Sequence, residues 1–208
     1  MAYNVITLRL GMLETNCYLL AEAGKALLID PAADAAVILD TLRENRLTLD
    51  AILLTHGHFD HIGAVEEVRA ATGAPLYIHE ADAELLTSPE KNYSTQFLDH
   101  AIVCRKADVL LSEGDTIPFA GESVTVMHTP GHTRGSVTYR YRDLLFCGDT
   151  IFKGGIGRTD LYGGDKRALG ASLVKLFRFY DETGNDCRMF PGHGEETRLS
   201  EERRLYRI

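Results

Sequence analysis

The apolar run Ala51-Ile52-Leu53-Leu54 gives way at once to Thr55-His56-Gly57-His58-Phe59-Asp60-His61, which sets three histidines and an aspartate within seven residues. A buried strand that ends in such a cluster must deliver it to the edge of a sheet, where the polar groups find partners. In extended backbone alternate residues point the same way, so His56 and His58 can converge on one ion, while Asp60 and His61 can face a second. Imidazole nitrogens and carboxylate oxygens suit zinc, and also iron or manganese. The competing reading is a loop that is merely rich in histidine. The clustering and the abrupt strand end both weigh against it.

The 208 residues, 45% of them hydrophobic, can bury one sizeable core and are expected to form a single domain spanning 1–208. A formal net charge of −8 disfavours nucleic acid and anionic membrane as partners. The first twenty residues lack the basic start and apolar run of a signal peptide, and no segment is long and apolar enough to span a bilayer. Cys17, Cys104, Cys147 and Cys187 are scattered without paired spacing and read as reduced core residues, which gives a cytoplasmic expectation. Nothing in the pattern marks a dimer interface, so the oligomeric state stays open.

Short apolar runs at 4–9, 17–20 and 26–29 predict a strand meander, followed by a helix over 34–45. A second helix is expected over 61–71, carrying Ile62, Val65 and Val68 and ending at Gly73, so the cluster lies between a buried strand and a helix. Strand ends are where sheets usually present their chemistry. The second half repeats the logic. A strand over 122–128 breaks at Thr129-Pro130-Gly131-His132, and a hairpin over 136–147 ends at Gly148-Asp149. A helix over 166–179 precedes a short strand, 188–190, that stops at Pro191-Gly192-His193.

Five of the eight histidines therefore sit at strand-end turns: His56, His58, His61, His132 and His193. With Asp60 and Asp149 they can supply two neighbouring metals. The two oxygens of a carboxylate make Asp149 the natural bridging candidate. Glycine before His132, His193 and Asp149 is expected to let the backbone bend so that each side chain enters the site.

This pattern, His-x-His-x-Asp-His followed by a lone His, an Asp and a last His, resembles that of the metallo-β-lactamase superfamily, and the resemblance runs through nearly the whole chain. Thr129-Pro130-Gly131-His132-Thr133, Gly148-Asp149-Thr150-Ile151-Phe152, Gly155-Ile156-Gly157-Arg158-Thr159-Asp160 and Pro191-Gly192-His193-Gly194 look most like the short bacterial type II glyoxalase-like hydrolases. The resemblance implies an α/β fold, an αββα sandwich of two mixed sheets flanked by helices. It implies two divalent metals, zinc foremost: one on His56, His58, His132 and Asp149, the other on Asp60, His61, His193 and the same Asp149. Asp60 is expected to be catalytic as well as a ligand. Metallo-β-lactamases proper usually carry other residues where this chain has His61 and Asp149, which turns the expectation away from antibiotic hydrolysis. Classical type II glyoxalases add a C-terminal helical domain that helps to bind glutathione, whereas only 194–208 follow the last ligand here.

The implied activity is hydrolysis of a thioester, S-lactoylglutathione or a related acyl-thiol, by a hydroxide formed on the metals, since coordination lowers the pKa of water from about 16 towards about 7. A small-molecule thioester is thus the expected partner. Arg158 can fork onto a substrate carboxylate, with Lys153 adding charge and Tyr162 lining the entrance. The plainer readings are that Arg158 pairs with Asp160 or Asp165 and that Tyr162 is a packed loop aromatic. His128, on a strand face with Val124 and Val126, reads as a core or supporting histidine. His79 and His100 lack companion ligands, and Cys147 reads as a small buried hydrophobe. Asp30, before Pro31, either orients a ligand, as its counterpart in the family does, or shapes a turn. A mononuclear iron persulfide dioxygenase and a non-enzymatic metal-binding protein are the rival classes.

Overall fold

Strand β3 (Lys25–Ile29) is apolar at every position but its first because both of its faces are covered. Leu27 and Ile29 point to one side and Ala26 and Leu28 to the other, each pair into a different hydrophobic cluster. The chain is described here from a computed structural model, over residues 3–206. β1 (Asn4–Leu10) and β2 (Thr15–Glu22) join β3 as the expected antiparallel meander. β4 (Thr48–Leu53), β5 (Leu76–His79) and β6 (Val109–Leu111) then continue the sheet in parallel, in the order β1-β2-β3-β4-β5-β6.

The second sheet is built from β7 (Thr116–Phe119), β8 (Glu122–His128), β9 (Val137–Tyr141) and β10 (Leu144–Gly148). A two-stranded ribbon of β11 (Ile151–Phe152) and β12 (Gly155–Ile156) stands apart, and β13 (Arg188–Pro191) and β14 (Thr197–Arg198) complete the sheet in the order β14-β13-β10-β9-β8-β7. Between the sheets, Leu20, Leu27 and Leu53 interlock with Val126, Tyr139 and Phe146. Helices α1 (Ala35–Glu44), α2 (Phe59–Ile62) and α3 (Val65–Thr72) follow strands of the first sheet. Ile38, Leu42, Val65 and Val68 cover its outer face. A short α4 (Ser94–Phe97) follows a 3₁₀ helix over Glu80–Thr87. α5 (Lys166–Thr183) lays Leu173, Leu176 and Phe177 on the outer face of the second sheet, and α6 (Leu199–Leu205) adds Leu199 there. The layers are the αββα sandwich of two mixed sheets that the sequence resemblance implied. No described helix is long and apolar enough to cross a membrane.

The expected helix over 61–71 is two helices, and the reason is local. The Ala64 amide donates to the Pro31 carbonyl at 2.9 Å instead of continuing the turn begun by α2. Gly63 lies so close to the loop after β3 that a Cβ there would stand 2.2 Å from the Ala32 carbonyl oxygen. The break lets α2 serve the cluster while α3 packs on the sheet. α5 outruns its expected end by four residues, 180–183, and stops at Gly184 with φ of 68°; its first turn is capped by Asp165, which accepts from the Arg167 and Ala168 amides. Gly63→Ala is expected to lower stability by about 1–3 kcal/mol through overpacking. Urea unfolding would read this as a shifted midpoint at constant slope; an unmoved midpoint would mean that the Ala32 carbonyl yields freely.

Candidate metal centre

Parallel pairing sets the ends of β3 and β4 side by side, and the first consequence is a buried carboxylate. Asp30, just past β3, accepts from the Thr55 amide at 2.7 Å, the Thr55 hydroxyl at 2.6 Å and His61 Nδ1 at 2.9 Å. Of its two sequence readings, the structure shows the orienting contact with His61. Thr55 Oγ1 also meets His56 Nδ1 at 3.2 Å. His132 Nδ1 donates to the Arg158 carbonyl at 2.8 Å, and His193 Nδ1 to the Leu13 carbonyl at 3.2 Å. Each of these four imidazoles is thus held by one nitrogen, which leaves the other directed elsewhere.

The free nitrogens converge. Ligand atoms of His56, His58 and His132 lie within 4.8 Å of one another, as do those of Asp60, His61 and His193, and those of His56, His61 and Asp149. His58 Nδ1 is 2.9 Å from His132 Nε2. Asp149 faces both sets: Oδ1 stands 3.4 Å from His61 Nε2, while Oδ2 stands 3.6 Å from both His132 Nε2 and His193 Nε2. Asp60 Oδ2 lies 3.4 Å from His61 Nε2 and 3.2 Å from His193 Nε2, and accepts from Thr15 Oγ1 at 3.1 Å. All seven side chains singled out in the sequence come together at one place, at the ends of strands from both sheets.

The cluster fits a metal ion by its own chemistry. His56 Nε2, His61 Nε2 and Asp149 Oδ1 are buried without a hydrogen-bond partner, an arrangement that costs free energy unless a cation satisfies it. Burial first, and then the neighbouring imidazoles, push His56 well below the ordinary histidine range and His58 down to about 3. Both are therefore neutral, the state that donates a lone pair. Burial alone would raise Asp60, but His61 and His193 outweigh it and hold the carboxyl well below the usual range.

Two of the three glycines preceding these ligands have positive φ, 139° at Gly131 and 46° at Gly148, in keeping with the expected bend. Gly192 does not, and its reason is space: a Cβ there would lie 2.1 Å from Asp149 Oδ1. The turn that carries His193 is also pinned by Asn16, whose side-chain amide donates to the Pro191 and Gly194 carbonyls, each at 3.0 Å.

The residues expected to meet substrate are engaged by neighbours of their own. Arg158 makes a two-point fork with Asp160, both bonds 2.7 Å, and its side chain is exposed. Lys153 pairs with Glu195 at 2.6 Å and is also exposed. The Tyr162 hydroxyl donates to Glu84 at 2.9 Å, and Lys91 and Arg134 both lie over its ring, 4.9 and 5.5 Å from its centre. His128 stacks on His79 with ring centres 4.0 Å apart, away from the cluster, and bonds the Arg134 carbonyl. His100 is exposed beside Asp99. The four cysteines are free and buried, and burial lifts all four thiols, Cys104 up to about 12.

Asp82, in the 3₁₀ helix, was not legible in the sequence. Its buried carboxylate accepts from the Gly57 amide at 3.1 Å, the Thr133 hydroxyl at 2.7 Å and the Gly135 amide at 2.7 Å. It therefore ties the turn of His56 and His58 to the turn of His132. These contacts span 25 to 53 residues, so no local pattern announces them. Tyr93, with its ring 5.7 Å from that of His58, was missed for the same reason.

The family model described as the metallo-beta-lactamase superfamily matches residues 10–193. The chain belongs to this superfamily. Among its relatives in this superfamily, an uncharacterized protein of Mycobacterium tuberculosis is 42% identical over 94% of this chain and 92% of its own length. The probable metallo-hydrolase YqgX of Bacillus subtilis is 36% identical over 90% and 88%, and the hydroxyacylglutathione hydrolase GloC of Haemophilus influenzae is 32% identical over 97% and 95%. Of solved structures, the BLEG-1 B3 metallo-beta-lactamase superposes with a TM-score of 0.90 at 37% identity, covering 96% of each chain. The di-iron-bound form of TTHA1623 gives 0.85 at 35%, covering 97% of this chain and 98% of the other. ETHE1 from Myxococcus xanthus gives 0.79 at 28%, covering 99% and 83%.

Asp82→Asn turns one acceptor oxygen into a donor, which then opposes either the Gly135 amide at Oδ1 or the Gly57 amide and Thr133 hydroxyl at Oδ2. It is expected to weaken cobalt binding roughly 10–100-fold, as losses of a ligand's supporting hydrogen bonds do. Competition with a chromophoric chelator measures this, and affinity unchanged from the wild type would show that Asp82 does not set the ligand turns.

Proposed function

We propose that the chain is a metal-dependent hydrolase of thioesters, S-lactoylglutathione or a related acyl-thiol, served by two divalent cations, zinc foremost and iron or manganese as alternatives. The observation that carries the reading is the Asp149 carboxylate, which reaches toward both sets of ligand atoms at 3.4–3.6 Å. His56, His58, His132 and Asp149 would hold one cation, and Asp60, His61, His193 and Asp149 the other. Bound there, divalent ions supply Lewis acidity and lower the pKa of water from about 16 towards about 7. A relative named hydroxyacylglutathione hydrolase, matched along 95% of its own length, supports the choice of a thioester.

The chain's own residues then have distinct tasks. Asp60, kept ionised by His61 and His193 and steadied by the Thr15 hydroxyl, orients the attacking water and accepts its hydrogen bond at Oδ2. Asp30 and the Arg158 carbonyl fix the rings of His61 and His132. The Arg158 and Lys153 side chains sit in exposed ion pairs, which contribute little to stability, so exchanging Asp160 or Glu195 for a substrate carboxylate costs little. Tyr162, engaged by Glu84, serves as a wall of the entrance.

A second reading is a mononuclear iron persulfide dioxygenase; the di-iron-bound form of TTHA1623 supports iron as a metal for this fold, though as a pair of ions. Assays on protein purified without added metal separate the two. The hydrolase is expected to turn over S-lactoylglutathione, and His58→Ala to lose roughly two orders of magnitude or more in kcat/KM. A β-lactam belongs in the same panel, given the likeness to BLEG-1. One tightly bound iron per chain, oxygen uptake on glutathione persulfide and no thioester turnover would replace the proposal with the dioxygenase. Inactivity on every substrate would point to a metal-binding protein without catalysis.

A further inference from the structure

Beside the metal centre lies a groove of about 200 Å³ whose walls share Asp60 and Thr15 with that centre. The rest of its lining is largely apolar: Leu10, Met12 and Leu13 from the β1–β2 hairpin, Phe59 from α2, and Leu98 and Ile102 from beyond α4. Met12 is 66% exposed, Leu13 43% and Phe97 49%, so the rim presents hydrocarbon to solvent beside a polar centre. Phe97 stacks on Phe59 at 5.4 Å, which fixes one wall. The Leu13 carbonyl holds His193, which fixes the hairpin against the ligand cluster.

Charge decides what the groove can hold. No lysine or arginine lines it, and its ionisable side chains are Asp34, Asp60 and His100. An anionic thiol carrier finds no counter-charge there. A second cleft, about 590 Å³, is lined by Arg9 and Lys153 with Glu195 and Glu196, and suits a charged or zwitterionic group. The two halves of a thioester differ in the same way: the thiol carrier bears the charges, and the acyl chain can be hydrocarbon.

We propose that the groove receives the acyl half of the substrate, and that it favours an unbranched, uncharged aliphatic chain over a small hydroxyacyl group such as lactoyl. The proposal rests on the thioester reading above and narrows it. In the reaction, water forms a C–O bond to the acyl carbon and the C–S bond breaks. The products are a carboxylate, a free thiol and one proton, so the hydrocarbon chain leaves as a fatty acid anion. Apolar selection here needs no extra charged residue, because burial of each methylene supplies the discrimination.

The test uses acyl thioesters of N-acetylcysteamine, which keep the thiol half constant and uncharged, with the metal-loaded full chain. Each added methylene from acetyl to hexanoyl is expected to raise kcat/KM about fourfold, roughly 200-fold in all. Ala33→Trp, at a groove position facing Gly11, and Leu98→Asp, at the half-exposed rim, are both expected to flatten that slope. Leu98→Asp needs no room in the interior, so it reports even if Ala33→Trp fails to fold. A wild-type slope that is flat or falls with chain length, in an enzyme that cleaves the short thioesters, overturns the groove assignment and leaves the hydrolase intact. Calorimetric binding of the ketone analogue, with a methylene in place of the thioester sulfur, decides the matter without turnover. Tighter binding by longer chains, lost in Leu98→Asp, supports the groove even if no thioester is cleaved. Binding that ignores chain length and both substitutions overturns it.

Discussion

The buried carboxylate of Asp30 is the constraint on which the centre rests. It sits where β3 and β4 end side by side, and it accepts from a backbone amide, a hydroxyl and an imidazole at once. A polar group at 1% exposure is tolerable only with its hydrogen bonds made, so Thr55 and His61 are held in place together with Asp30. That fixes the exit direction of the chain after β4. The break at Gly63 and Ala64 then seats α2 against the loop that carries Asp30, and Asp60 and His61 follow from that seat.

Asp82 does for the other half what Asp30 does for the first. Its three hydrogen bonds couple turns from different sheets, so the spacing between His58 and His132 does not depend on how each loop would settle alone. Both carboxylates act through backbone amides and hydroxyls, which a mobile loop would give up to water. The ligand rings are thus held by groups of the chain itself, the condition under which coordination costs least reorganisation.

The ligands were legible in the sequence because each lies at the abrupt end of an apolar strand, often behind glycine, and that pattern is local. His56 to His61, His132, Asp149 and His193 need only a few neighbours to be seen. The strands of the meander and the helices expected over 34–45 and 166–179 were visible through their periodicity, the second falling short of the end of α5 at Thr183. What stayed hidden depends on distant partners. Asp82, Asn16 and Tyr93 act across tens of residues or more, and the helix after Asp60 breaks because of the distant Pro31 and Ala32 carbonyls. Gly192 looked like a hinge but leaves room for a carboxylate. The side chain of Arg158 is what its residue type announces, whereas the group that holds His132 is its backbone carbonyl.

The ligand atoms also come from both sheets. His56, His58 and His61 extend from β4, whereas His132, Asp149 and His193 follow β8, β10 and β13. Anything bound among them is a cross-link between the two halves of the sandwich, in addition to the Leu and Phe contacts that glue their inner faces. Binding that favours the folded chain adds RT ln(1 + [L]/Kd) to its stability. Folding and loading are then one equilibrium, and the cell's supply of free cation becomes a term in how long this protein survives.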